Sequence, residues 1–115
     1  MGRVEASENI GPEPIRSLDG IVIPTQTSTI LVENFTKHAY QVICNGVNSG
    51  TDAAFFIYGS NLKGRWVKIA NYQINNGRNK DGILHFDTWN FKYAKCRIMG
   101  TFNGANFSVI EKHNA

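Results

Sequence analysis

The amino-acid sequence predicts an all-β protein: a two-sheet antiparallel sandwich, jelly-roll-like, of about eight strands, preceded by an extended N-terminal arm. Three observations carry this. After Gly20 the chain turns to short runs rich in Val, Ile, Thr, Phe and Tyr, the residues that suit a pleated, half-buried surface. Turn dipeptides interrupt those runs at intervals of about ten residues, the rhythm of sandwiches and barrels. No long stretch keeps a 3.6-residue apolar period, so no substantial helix is expected. At 115 residues, with 42% hydrophobic and 11% aromatic content, the chain has the material for one self-sufficient core.

Taken in order, residues 1–20 are polar, contain Gly11, Pro12 and Pro14, and follow neither a helical nor a strand period. They read as an arm ahead of a sandwich domain spanning 21–115. The arm is either a frayed terminus or ordered on a neighbouring molecule, and Val4, Ile10 and Ile15, spaced along it, suit docking in shallow apolar grooves in the second case. The strands expected next are 21–24, 28–35, 39–47, 53–58, 66–74, 82–88, 93–102 and 106–111. Turn signals separate them at Asn48-Ser49-Gly50, Lys63-Gly64, Asn75-Asn76-Gly77, Asp81-Gly82 and Asn103-Gly104. Asn-Gly and Asp-Gly tolerate the positive φ of tight hairpins, so 99–110 reads as a terminal hairpin. Alternation assigns Ile57, Val67, Ile69, Leu84, Phe86, Cys96 and Ile98 to the core. The aromatics Phe35, Tyr40, Phe55, Phe56, Trp66 and Trp89 are expected to close its ends, with Trp66 counted as a packing residue.

Charge is segregated. The first 20 residues set Arg3 and Arg16 against Glu5, Glu8, Glu13 and Asp19, a balance of −2. From Lys63 to Arg97 eight basic residues face only Asp81 and Asp87, a balance of +6. Such an excess steers a protein toward an acidic surface through a field that salt weakens, although the residues are scattered rather than clustered. Cys44 and Cys96 lie within apolar runs and read as buried thiols; no CxxC occurs, and His38, His85 and His113 lack metal-ligand spacing. No cofactor or metal is expected. No apolar run approaches the roughly 18 residues a membrane span needs, and the first 20 residues lack the apolar centre of a secretory signal.

Catalytic motifs are absent from the sequence: no GxSxG, no HExxH, no Gly-rich phosphate loop after a strand. His85 and Asp87 share one strand face and are the nearest approach to an acid–base pair. The expectation is a non-enzyme. Single-stranded nucleic acid deserves weighing, because Tyr93, Lys95 and Arg97 share a face and Arg65, Trp66 and Lys68 form a second basic segment. Against it stand the assignment of Trp66 to the core and the lack of an RNP-type or cold-shock motif, so nucleic acid is not the expected partner.

The stretch 54–69, AFFIYGSNLKGRWVKI, followed by FKYAKCRI at 91–98, resembles a pattern of β-sandwich modules in tailed-phage virion proteins, of the capsid decoration or cement type. That pattern is an apolar strand, Gly-Ser-Asn, a Gly, a Trp and a second apolar strand, with a later aromatic-to-Arg companion strand. Discoidin-type, galactose-binding-like jelly rolls carry a similar hairpin. The resemblance implies a structural virion protein, assembled in the host cytoplasm, that decorates or cements the capsid by binding across neighbouring subunits. Its implied partners are the major capsid protein, other virion subunits or a second copy of itself, with no membrane involved. On that reading Val4, Ile10 and Ile15 anchor the arm, while Lys63, Arg65, Arg78 and Lys80 meet acidic capsid surface. The alternatives it implies are a carbohydrate-binding module, with rings at Tyr58, Tyr72 or Trp89 forming a platform, and a tail or neck component.

Overall fold

The computed structural model describes residues 13–62, 64–75, 81–87 and 91–115. Among these residues the architecture is entirely β, with strands β1 (Ile15–Ile21), β2 (Thr25–Gln26), β3 (Ile30–Leu31), β4 (Lys37–Asn45), β5 (Asp52–Ser60), β6 (Val67–Asn75), β7 (Gly82–Asp87), β8 (Tyr93–Thr101) and β9 (Asn106–Asn114). One sheet runs β1-β9-β4-β7; the other runs β2-β8-β5-β6, with β3 also pairing β8. The antiparallel pairs β1·β9, β2 and β3·β8, β4·β7 and β5·β6 nest one inside the next along the chain. That is a long double ribbon rolled up until its two halves face each other, the jelly roll expected from the sequence.

The inner faces meet through Val42, Val109 and Tyr40 on one side and Phe55, Ile57, Cys96 and Ile98 on the other, all fully buried. Tyr40 and Phe55 bridge the sheets with ring centroids 6.2 Å apart. Phe102 and Phe107 close one end edge to face at 4.7 Å. Of the expected core, Ile57, Cys96 and Ile98 are fully buried and Ile69 and Leu84 pack against it; the side chain of Phe86 lies outside the described residues. Val67 departs from expectation and is 56% exposed. Ile74, Tyr72 and Ala70 pair with the inward Ala53, Phe55 and Ile57; beyond them the β5·β6 register slips by one residue, setting Lys68 opposite Tyr58 and leaving Val67 opposite Gly59 at the first residue of β6.

Four further expectations are corrected. Residues 15–20, taken with the arm, form most of β1, in which Leu18 is a core residue and Gly20 N–H donates to Ser108 Oγ at 2.8 Å. Residues 22–24 form no strand: Val22 and Ile23 stand exposed where the chain crosses between sheets, and Pro24 has no N–H to give a ladder. The expected strand 28–35 shrinks to Ile30–Leu31, because the chain then closes a turn over Glu33 and Asn34, with Phe35 N–H donating to Val32 O at 3.0 Å. Finally, 99–110 is not a hairpin. Asn103 (φ 50°) and Gly104 (φ 89°) do make the tight turn, closed by Ala105 N–H on Phe102 O at 3.1 Å. Yet β8 and β9 enter opposite sheets, because Phe102, Ala105 and Phe107 are all buried between them.

Candidate functional site

Strand β5 sends Ala53, Phe55, Ile57 and Gly59 into the core, which turns Ala54, Phe56 and Tyr58 onto the outer face of its sheet. Strand β8 alternates likewise, with Ala94, Cys96 and Ile98 inward and Lys95, Arg97 and Met99 outward. Register then decides who meets whom. Tyr58 lies between Lys68 of β6 and Lys95 of β8, and Phe56 lies between Asn71 of β6 and Arg97 of β8. Gln26 of β2 extends the second row beyond Arg97.

The result is a strip of rings flanked on both sides by cations. Phe56 and Tyr58 have centroids 6.3 Å apart. Lys68 Nζ stands 5.0 Å from the Phe56 centroid, Lys95 Nζ 4.6 Å from Trp66 and 5.9 Å from Tyr58, and the Arg97 guanidinium carbon 6.0 Å from Tyr58. Cation–π contacts of this kind contribute about 0.5–1 kcal/mol each at exposed sites, enough to orient the long side chains without locking them. Among the described residues no ion pair engages Lys68, Lys95 or Arg97. The nearest outward carboxylate along β5, Asp52, is at the far end of the strand, where it accepts from Gln73 Nε2 at 3.0 Å. Among the described residues the strip is therefore positive charge without an ion-pair partner over half-buried aromatic surface.

Two sequence expectations change here. Phe56 and Trp66, assigned to the core, belong to this outer strip. Tyr72, named as a platform ring, instead packs against the core, while Tyr58 does face outward. The two basic segments seen separately in the sequence are joined because β5 runs between β6 and β8. The missed link was the outward pair Phe56 and Tyr58; its signal was the lack of polar residues at the outward positions of Ala54 to Tyr58.

Of the expected binding residues, Arg65 is exposed in the β5–β6 turn, its N–H donating to Leu62 O at 3.0 Å. Ile15 is half-buried on β1 and lines a cleft of about 170 Å³ with Ser17, Thr27, Ser28, Ile30 and Glu111. Val4, Ile10, Lys63, Arg78 and Lys80, like Trp89, lie outside the described residues. His85 is exposed, and the side chain of Asp87 falls outside the described set.

A second polar cluster is internal. Glu111 accepts from Ser17 Oγ and, at 2.7 Å, from His113 Nε2, while His113 Nδ1 and His38 Nδ1 share a hydrogen bond of 2.8 Å. The hydroxyl thus meets the carboxylate rather than an imidazole, the reverse of what activates a serine nucleophile. Burial, and then the neighbouring His113, lower the His38 pKa from its ordinary 6.5 to about 4. The cluster serves as internal wiring between β1, β9 and β4. Among the described residues no group of three or more His, Cys, Asp or Glu could hold a metal ion.

No protein-family model matches the chain, and no curated protein matches it in sequence. Solved structures do match in fold. The SPBc2 prophage-derived protein YomS superposes with a TM-score of 0.60 at 11% identity, over 88% of this chain and 90% of that one. The PBSX exported protein XepA gives 0.66 at 10% identity over 90% of this chain, which spans only 37% of XepA. The CBM51-2 and INT domains of Clostridium perfringens ZmpB, in complex with GlcNAc, give 0.53 at 13% identity, covering 92% of this chain and 29% of theirs. At these identities the likeness is one of fold.

Proposed function

We propose that this chain is a phage-associated structural protein that works by adhesion rather than catalysis, and that its specific role is to decorate or cement a capsid. The observation that carries the reading is the shared fold with the prophage-derived YomS, which extends over nearly the whole of both chains, with the PBSX exported protein XepA as a second similar fold. The chemistry of the site agrees. The buried carboxylate is already held by Ser17 and His113, and the exposed features are charges and rings suited to contact. Contacts repeated by particle symmetry turn individually weak adhesion into firm attachment. Arg65, exposed in its turn, and the residues before Ile15 are the contacts this role assigns first.

The test is to purify particles from the source strain and identify their proteins by mass spectrometry, then add the purified chain to particles that lack it. The expected result is stoichiometric presence and saturable rebinding. Absence from particles, with no rebinding, overturns the proposal. The likeness to the ZmpB domains favours sugar binding as a second reading. Lys68, Lys95 and Arg97, which among the described residues have no ion-pair partner, would find no counter-charge on a neutral sugar, which weighs against it. Saturable hits on a glycan array would restore it.

A further inference from the structure

We infer that the outer strip of Phe56, Tyr58, Trp66, Lys68, Lys95 and Arg97 binds single-stranded nucleic acid. Of the two objections raised by the sequence, the lack of an RNP-type or cold-shock motif stands, but the assignment of Trp66 to the core does not: it belongs to this strip, with Lys95 over its ring at 4.6 Å. Two features together select the ligand. Uncompensated cations stand on both sides of a central strand, Lys68 on one side and Lys95 and Arg97 on the other, as a phosphate backbone crossing the sheet requires. Between them the central strand presents adjacent rings 6.3 Å apart, with a third at the rim, which offers stacking surface for about two or three bases.

An acidic protein surface satisfies the cations through its carboxylates but needs separate apolar side chains, in the right place, to cover the rings. A single strand satisfies both. The cations resting on Phe56, Tyr58 and Trp66 move the short distance to phosphates, and the rings they leave take up the bases. Stacking is sequence-tolerant and duplex DNA keeps its base faces covered, so the strip discriminates by strandedness rather than by sequence. This inference goes beyond the virion role and does not depend on it.

The experiment uses the full chain and a fluorescein-labelled dT12, read by anisotropy, with a duplex of the same length and poly-glutamate as competitors. Micromolar binding in 50 mM KCl is expected, about 20-fold weaker in 200 mM, from three phosphate contacts at the slope typical of single strands. Phe56→Leu with Tyr58→Leu removes the rings and keeps the charge; it should weaken dT12 about tenfold with the salt slope unchanged. Lys95→Gln with Arg97→Gln should flatten that slope. A circular dichroism spectrum checks that both outer-face variants stay folded, and quenching of tryptophan fluorescence that disappears in Trp66→Phe gives an independent readout of stacking. Absence of binding in 50 mM KCl overturns the inference. So does equal competition by poly-glutamate with no effect of the ring variant, which would mark the strip as a docking face for acidic protein. Particle association without dT12 binding sinks this inference alone, and the converse sinks only the virion role.

Discussion

Single buried atoms set measurable properties of this molecule. His38 is 2% exposed and titrates at about 4, against 6.5 in an unfolded chain, so between those values the unfolded state binds the extra proton. Stability should be highest above pH 6.5 and fall as the pH drops toward 4, by up to about 3 kcal/mol from this group. Urea midpoints at pH 7 and 4.5 test this, and His38→Gln should remove most of the difference. Tyr40 has the opposite character. Its hydroxyl is fully buried with no hydrogen-bond partner among the described residues, and burial raises its pKa. Tyr40→Phe should therefore leave stability unchanged or raise it by about 1 kcal/mol in a thermal melt. Burial and then Asp81 push the Cys44 thiol up to about 11, and burial raises that of Cys96 further. A thiol reagent at pH 7.5 should label Cys44 slowly and Cys96 only at the rate of unfolding.

Elements owe their ends to local chemistry that the sequence displays only in part. The inward position of Cys96 and the strands β4 to β9 follow directly from alternation between turn signals, to within a few residues at each end. Strand β1 was hidden, because its two register shifts break the alternation and only Leu18 is deeply buried. That changes how the N-terminal segment should be cut. Removing 1–18 takes Leu18 and Ser17 with it, strips the hydroxyl from Glu111 and should cost about 3 kcal/mol or more. Near the end of β8, Gly100 has φ 111° and a Cβ there would meet Asp52 O at 2.3 Å. Gly100→Ala should accordingly destabilise the fold by more than about 2 kcal/mol, far beyond the same change at exposed Gly104, whose cost is backbone strain alone.

For the whole molecule, the nested pairing means that among the described strands only β5 and β6 are both consecutive and paired; every other pair joins distant parts of the chain. Loop closure must precede most of the burial, so refolding monitored by tryptophan fluorescence in stopped flow should take milliseconds to seconds, and a microsecond phase carrying the full amplitude would contradict this topology. Periodicity and turn chemistry, properties of neighbours along the chain, were enough to determine an all-β sandwich, most of its strands and the burial of Ile57, Cys96 and Ile98. Which strands lie side by side is a different quantity. It depends on how two sheets share one core, and a single slipped residue between β5 and β6 then sets Lys68 opposite Tyr58; neither leaves a local mark. So tertiary structure alone parted β8 from β9 despite a hairpin turn, placed Trp66 on the outer face, and drew Lys68, Lys95 and Arg97 from separate strands around one row of rings.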